Sequence, residues 1–189
     1  EELDQDYLWR TTKSLPERGR IGIFNRSYYE EVLVVRVHNL VKYQNIPSEF
    51  VTPQIWNERY EQIKNFEKHI YQNGTIVLKF FLNVSRDEQK NRFLKRLETP
   101  SKNWKFSAGD LEERKLWGEY QRCYQDAINA TSTSFAPWYI IPADHKWFAR
   151  LIISEIIKNT LENLDLNYPK LDEEQLKNLD FYKAELEKD

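Results

Sequence analysis

The chain has 189 residues and a formal net charge of −2, with 28 lysines and arginines against 30 acidic residues. This length suits one domain with a substantial core, and the balanced charge excludes a polyanion partner attracted by global charge. The single cysteine, Cys123, excludes an intrachain disulfide and indicates a reducing compartment, and we interpret it as a helix-face residue. No apolar run approaches the roughly 18 residues of a membrane span and no signal peptide opens the chain, so we expect a soluble, cytoplasmic protein.

The predicted elements alternate strands with helices. The apolar run Ile21–Phe24 predicts a buried strand. In chain order there follow a helix over 27–41 with a Ser27–Glu30 capping box, a helix from Thr52-Pro53 to Gly74 and a strand over 75–84. The second of these helices has an apolar stripe at helical spacing, formed by Trp56, Tyr60, Ile63, Phe66 and Ile70. A helix over 85–97 with a Ser85–Glu88 capping box comes next, followed by a loop over 100–109 and a helix over 110–130 capped by Asp110. The last elements are a strand over 138–141, a helix capped by Asp144 and a charged C-terminal helix or tail.

This order predicts an α/β fold. Strands that alternate with helices of this length form a parallel sheet whose two faces are covered by helices. Three strands are few for a domain of this size, and the chain begins Glu1-Glu2 without a methionine. We therefore expect a fragment whose N-terminal part, including further strands, is missing.

Polar side chains follow the first predicted strand directly. Asn25, Arg26 and Ser27 come immediately after Phe24. In open α/β sheets, ligands bind in the crevice beyond the carboxyl ends of the strands, so these side chains are candidates for chemistry. The alternative is an ordinary strand followed by a helix that Ser27 caps.

A basic cluster occupies residues 86–105, with seven lysines and arginines against three acidic residues. Arg92 and Arg96 are one helical turn apart, and arginines so placed can hold phosphoryl oxygens through two hydrogen bonds each. The alternatives are a solvated helix face and a nucleic-acid surface, where Trp104 would stack on a base between Lys102 and Lys105.

Other signals for chemistry are weak. The three histidines, His38, His69 and His145, are far apart in sequence and have no cysteine at ligand spacing. The chain contains no G-x-S-x-G motif and no G-x-x-x-x-G-K-[ST] phosphate loop.

Several segments together resemble the polyphosphate kinase 2 family, P-loop enzymes that move phosphoryl groups between polyphosphate and nucleotides. The matching segments are D-Y-L-W-R (6–10), L-P-E-R-G (15–19), I-G-I-F-N-R-S-Y-Y-E (21–30), V-L-V-V-R-V-H (32–38), N-R-F-L-K-R-L (91–97), P-S-K-N-W-K-F-S (100–107), R-K-L-W-G-E-Y (114–120) and P-W-Y-I-I-P-A-D-H-K-W-F-A-R-L (137–151). They cover roughly residues 1–165 in order.

The resemblance implies a three-layer α/β/α P-loop kinase fold without its first strand and phosphate loop. It implies a catalytic domain over 1–168, with a helical lid at about 86–125 and a charged tail over 169–189. The implied reaction transfers phosphoryl groups reversibly between polyphosphate and nucleoside mono- or diphosphates, with Mg²⁺ as cofactor. We expect adenine or guanine nucleotides as substrates, no membrane or nucleic-acid partner, and a homo-oligomer.

The resemblance also implies roles for individual residues. The implied catalytic residues are Asp6, which is also the implied metal ligand, Arg10, Asn25 and Arg26. The implied substrate-binding residues are Arg18, Ser27, Arg92, Arg96, Lys102, Trp104, Lys105, Arg114 and Trp117.

Two departures from the family pattern bear on these roles. The Walker A loop is absent from the chain, and Asn25 stands where the family often has aspartate. An amide supplies no negative charge to Mg²⁺, which is why Asp6 is the favoured carboxylate. Because the Walker A loop is absent, we expect residues 1–189 alone to be inactive as a kinase. The alternatives are a nucleotide kinase that uses ATP as donor and a non-catalytic polyanion- or RNA-binding remnant.

Overall fold

The computed structural model describes residues 4–188. Its helices and strands are α1 (Trp9–Thr12), α2 (Val34–Val37), α3 (Ile55–Gln72), β1 (Lys79–Asn83), α4 (Arg86–Glu98), α5 (Gly109–Lys115), α6 (Trp117–Thr131), β2 (Trp138–Pro142), α7 (Lys146–Glu162) and α8 (Glu173–Leu186). Short 3₁₀ helices lie at Tyr28–Val32, Leu40–Tyr43, Ser48–Phe50 and Pro100–Lys105.

The chain divides into two compact units between Ala149 and Arg150. In the second unit, α8 begins with a capping box in which the Asp172 carboxylate accepts from the Gln175 amide. The charged C-terminal stretch is thus helical, and its apolar side chains are exposed. The domain boundary expected at residue 168 stays a prediction.

The first unit contains a parallel pair of strands, which confirms the predicted α/β class. β1 pairs with β2 in the register Lys79 with Trp138 through Asn83 with Pro142. Parallel strands require a crossover connection, and here it carries α4, α5 and α6. Both strands were predicted, although β1 is shorter than the predicted run over 75–84.

The core of this unit lies between α3, α6 and the 3₁₀ helix Tyr28–Val32. The stripe predicted for α3 is confirmed, since Tyr60, Ile63 and Ile70 are buried. Cys123 is buried on α6, as expected for a helix-face residue, and burial raises the pKa of its thiol. The cluster consists of Tyr29, Val32, Leu33, Tyr60, Ile63, Cys123 and Ala127.

A charged network is buried beside this core. The Lys79 ammonium on β1 lies 2.7 Å from the Glu67 carboxylate on α3 and also donates to the Thr131 carbonyl at 2.9 Å. The Tyr28 and Tyr29 hydroxyls each lie 2.9 Å from Glu67 Oε1. Burial of a charge is tolerated only when it is paired and hydrogen-bonded, and here one ion pair joins β1, α3, α6 and the 3₁₀ helix.

The strand predicted at Ile21–Phe24 is wrong for this structure. The segment has no regular secondary structure, and Ile21 and Ile23 are 73% and 91% exposed. A strand forms when its amides pair with a neighbour, and among residues 4–188 β1 and β2 pair only with each other. Residues 21–24 therefore remain unpaired with either strand of the described chain.

The single helices predicted over 27–41 and 110–130 are both broken. Asn39 has a positive φ of 49°, which ends the first helix region after α2. The second is divided at Leu116, whose φ of −82° and ψ of 12° separate α5 from α6. Gly118, the second residue of α6, lowers the helix propensity next to that break.

Two predicted caps serve other purposes. The Asp110 carboxylate lies inside α5 and accepts from the Ser107 amide. The Asp144 carboxylate accepts from the Ser85 amide at 2.7 Å, across the ends of the two strands. The Ser85 cap of α4 is confirmed, because its hydroxyl accepts from the Glu88 amide at 3.1 Å.

Candidate active site

A cleft of about 400 Å³ lies at the carboxyl ends of β1 and β2, in the place where α/β sheets bind ligands. Its polar walls come from the residues that end each strand, because a parallel pair brings both ends to the same edge. We call it the strand-end cleft, lined by Asn83, Ser85, Pro142, Ala143, Asp144, His145 and Phe148.

Arg92 fastens α4 to the wall of this cleft. Its Nη2 donates to the Ala143 carbonyl at 2.6 Å and to the Asp144 carbonyl at 3.1 Å, and its Nε lies 2.7 Å from Glu88 Oε1. The hydrogen bond from the Ser85 amide, more than Arg92, holds the pKa of Asp144 below its usual range. The guanidinium predicted to bind phosphate thus positions the loop that follows β2.

The lid expected at about 86–125 stays a prediction. Within it, we use the name basic lid for α4, the 3₁₀ helix Pro100–Lys105 and α5. Arg114 on α5 donates to the Arg86 carbonyl at 2.8 Å and to Gln89 Oε1 at 2.7 Å, so α5 is tied to the first turn of α4. Arg96 lies 3.9 Å from the Asp110 carboxylate. Two of the three lid arginines predicted to bind substrate therefore hold backbone carbonyls of the protein.

The tip of the lid presents its cations to solvent. Trp104 is 78% exposed, and the Lys105 ammonium lies 5.0 Å from its ring centroid. Lys102 is exposed on the same 3₁₀ helix, whereas Trp117, at the start of α6, is half-buried. Lysine ammonium groups act as mobile point charges and suit a flexible anion.

A second, smaller cleft contains Asp6. Its volume is about 160 Å³, and it lies between the N-terminal segment, residues 44–46 and Arg59 on α3. Asp6 Oδ1 accepts from the Leu8 amide at 2.8 Å, which caps the turn leading into α1, where Arg10 lies. We call it the N-terminal cleft, lined by Asp4, Gln5, Asp6, Tyr7, Gln44, Asn45, Ile46 and Arg59.

The Asn25-Arg26-Ser27 segment has an unusual backbone. Arg26 has a φ of 69°, a left-handed conformation that is uncommon outside glycine and occurs often at functional sites. Its guanidinium is 80% exposed and lies 3.9 Å from Glu30. Asn25 and Arg18 are exposed, and the Ser27 hydroxyl accepts from the Tyr29 amide. The Arg26 side chain is thus accessible from solvent on a left-handed backbone.

Sequence reasoning missed a polar contact between α2 and the lid. The His38 imidazole lies 3.0 Å from the Glu113 carboxylate on α5, which also accepts from the Tyr120 hydroxyl at 2.7 Å. Chiefly through the Tyr120 hydrogen bond, these partners lower the pKa of Glu113. No local pattern signals the contact, because His38, directly after α2, is far in sequence from Glu113 on α5 and Tyr120 on α6.

The structure separates the expected site residues into groups held by different contacts. Arg92, Arg96 and Arg114 lie in the basic lid, where Arg92 also contacts the wall of the strand-end cleft. Asp6 lines the N-terminal cleft. No three histidine, cysteine, aspartate or glutamate side chains among residues 4–188 are grouped as a metal site. Magnesium in phosphoryl-transfer sites commonly uses only one or two carboxylates with substrate phosphates.

The comparisons with known proteins identify the family. The family model described as polyphosphate kinase 2 matches residues 1–169. The chain belongs to the polyphosphate kinase 2 family. The resemblance in the sequence segments is thereby confirmed, and the lid and clefts are features of a polyphosphate kinase 2 chain.

Individual members of the family are similar over most of the chain. The ADP-polyphosphate phosphotransferase of Rhodopseudomonas palustris is 53% identical over 171 residues, which are 89% of this chain and 59% of the relative. The AMP/ADP-polyphosphate phosphotransferase of Meiothermus ruber is 48% identical, over 90% of this chain and 60% of its own length.

The fold agrees with that of a solved family member. The crystal structure of polyphosphate kinase 2 from Arthrobacter aurescens matches with a TM-score of 0.86 at 38% identity, covering all of this chain and 62% of the other. The chain thus spans about 60% of the length of the curated relatives it matches. Every helix among residues 4–188 is too short or too polar to cross a bilayer.

Proposed function

We propose that this protein transfers phosphoryl groups reversibly between inorganic polyphosphate and nucleoside mono- or diphosphates, with adenine or guanine as the base. The observation that carries the proposal is membership of the polyphosphate kinase 2 family, with relatives named ADP-polyphosphate and AMP/ADP-polyphosphate phosphotransferase at 53% and 48% identity. Two features support the proposal. The strand-end cleft offers a crevice for a ligand, and the exposed cations at the lid tip offer positive charge for a polyanion.

Catalysis of phosphoryl transfer consists mainly of positioning and charge neutralisation. Three arginines hold either the phosphates of the acceptor nucleotide or the phosphoryl group in transfer: Arg10, Arg18 and Arg26. Asp6 orients the acceptor. The exposed guanidinium of Arg26, on its left-handed backbone, supports this assignment. Asn25 and Ser27 complete the proposed set around it.

In the proposed function the lid tip engages polyphosphate first. Lys102, Trp104 and Lys105 are exposed there, whereas the Arg92 and Arg114 guanidiniums hold protein carbonyls. We therefore assign tracking of the polyphosphate chain to the lysines and shaping of the lid to these two arginines. Arg96 and Trp117 remain proposed contributors to substrate binding.

We propose Mg²⁺ as the cofactor, with Asp6 as its carboxylate. The residue fits, because Asp6 lines a cleft and one of its oxygens is already fixed by the Leu8 amide. When held by Asp6, Mg²⁺ would neutralise negative charge on the phosphoryl groups. We also propose that the protein is a homo-oligomer, since the chain has exposed apolar side chains. The single free thiol supports a location in the cytoplasm.

A donor assay tests the proposal. The protein expressed from its complete gene is incubated with Mg²⁺ and an acceptor, either ADP or AMP. The phosphoryl donor is either polyphosphate or a nucleoside triphosphate. We expect product only with polyphosphate. Transfer from the triphosphate alone identifies a nucleotide kinase, and binding of polyphosphate without any transfer identifies a polyanion-binding protein; either result overturns the proposal.

A lysine substitution tests the role of the lid tip. Lys105→Ala should raise the KM for polyphosphate several-fold and leave the KM for the nucleotide unchanged, because one phosphate contact is lost. The matched control is Lys68→Ala, which removes an exposed lysine from α3 outside the lid. If both variants have the polyphosphate KM of the wild type, the lid tip does not bind polyphosphate.

A further inference from the structure

Helix α3 buries a second ion pair, at the end opposite to Glu67. The Arg59 Nε lies 3.0 Å from Glu31 Oε1, and both residues are buried. The Gln44 side-chain amide donates to the other Glu31 oxygen at 2.7 Å. Arg59 stands among the apolar residues of the α3 stripe, where a charge is costly unless it has a partner. Neither charge takes part in the proposed chemistry.

One side of this pair reaches the N-terminal cleft. The Arg59 guanidinium lies 4.8 Å from the centre of the Tyr7 ring. Its Nη1 donates to Gln62 Oε1 at 2.9 Å, and the Tyr7 hydroxyl donates to the same oxygen at 3.2 Å. Tyr7 directly follows Asp6, so the guanidinium and Gln62 together fix the start of the segment that carries Asp6 and Arg10.

The other side of the pair reaches the Asn25–Ser27 segment. Glu31 lies in the 3₁₀ helix Tyr28–Val32, and Ser27 caps that helix. A shift of Glu31 therefore moves the helix whose N-cap, Ser27, directly follows Arg26 in its left-handed conformation. A planar guanidinium fixes direction as well as distance, which a lysine ammonium does not.

We infer that Arg59 and Glu31 are positioning residues that hold the Asp6–Arg10 segment and the Asn25–Ser27 segment in a fixed mutual arrangement. The inference rests on the proposed function for its consequence in catalysis, since the two segments carry the residues assigned to phosphate and acceptor. The claim that the ion pair fixes the two segments relative to one another depends only on the contacts described above.

The test uses the protein expressed from its complete gene, with both charges replaced in Glu31→Met/Arg59→Met. A well-packed apolar pair can replace a buried ion pair with little loss of stability, so this double variant separates folding from positioning. The matched control is Arg36→Lys, which alters an arginine that is only partly buried and is paired with Asp126 at 2.9 Å.

Amide hydrogen exchange is the primary measurement. In the double variant we expect peptides covering 6–12 and 25–32 to exchange at least tenfold faster together, while β1 and the control keep wild-type rates. Faster exchange in only one of the two peptides, or in neither, overturns the inference. If the double variant does not fold, Arg59→Lys is measured in the same way.

Kinetics give the second measurement. Under the proposed function, kcat should fall at least tenfold in the double variant, and the polyphosphate KM should change less than twofold, because the lid is untouched. An unchanged kcat in a variant with loosened segments overturns the positioning role. A wild-type protein that is inactive with polyphosphate overturns the proposed function instead, and hydrogen exchange still decides the joint fixing of the segments.

Discussion

Replacing Lys79 with methionine tests how much the buried network stabilises the fold. The Lys79 side chain is 5% exposed and the Glu67 side chain is 0% exposed, with 2.7 Å between ammonium and carboxylate. Methionine retains most of the lysine stem but removes the charge. Glu67 would then keep only the hydroxyls of Tyr28 and Tyr29, and the Thr131 carbonyl would lose the lysine donor.

The expected loss follows from these contacts. Removing one member of a buried ion pair costs about 3–5 kcal/mol, because the other charge stays buried. The two tyrosine hydroxyls place this site at the low end of that range, and the carbonyl that loses its donor adds about 1–3 kcal/mol. We expect a loss on the order of 4 kcal/mol, a large share of a typical unfolding free energy of about 5–15 kcal/mol.

Urea unfolding followed by circular dichroism measures this loss in the protein expressed from its complete gene. The matched control is Lys115→Met, whose ammonium also lies 2.7 Å from a carboxylate, that of Glu112, but with both side chains more than two-thirds exposed. That variant should lose less than about 1 kcal/mol. A Lys79→Met loss no larger than the control refutes the reasoning.

Two further predictions concern pH and magnesium. Burial raises the pKa of the Tyr28 hydroxyl, so its contribution to stability is complete below the unfolded tyrosine pKa of about 10 and is lost as pH rises further. The urea midpoint of the Tyr28→Phe variant should therefore decline less at alkaline pH than that of the wild type. An identical decline in both proteins contradicts this prediction. Asn25→Asp, a near-isosteric change at an exposed position, should leave the urea midpoint unchanged and shift the Mg²⁺ dependence of the polyphosphate reaction, whereas superimposable Mg²⁺ titrations show that Asn25 does not face the metal.

Elements with local signals could be predicted from the sequence. Helix α4 begins where Ser85 and Glu88 indicate a cap, and α3 follows a stripe of apolar residues at helical spacing. The strand β2 is a short apolar run that ends at a proline. In each case the deciding interactions join residues within a few positions of one another.

Features that depend on distant partners could not be predicted in this way. Ile21–Phe24 has the composition of a strand, but strand formation depends on a neighbour that its own residues do not specify. The basic sequence around Arg92 indicates phosphate binding equally well whether its guanidinium faces solvent or, as here, the Ala143 carbonyl. A charge on an apolar stripe, as at Arg59, favours a buried partner, but the stripe does not specify which residue supplies it.

The parallel pairing of β1 with β2 has a consequence for synthesis on the ribosome. Lys79 emerges long before its register partner Trp138, and the whole basic lid must be translated between them. Closing so long a loop costs entropy before the strand contacts repay it, which makes such non-local pairing slow. The nascent chain therefore carries β1, with Phe80, Phe81 and Leu82 uncovered on an open edge, through an interval in which chaperone binding competes with self-association.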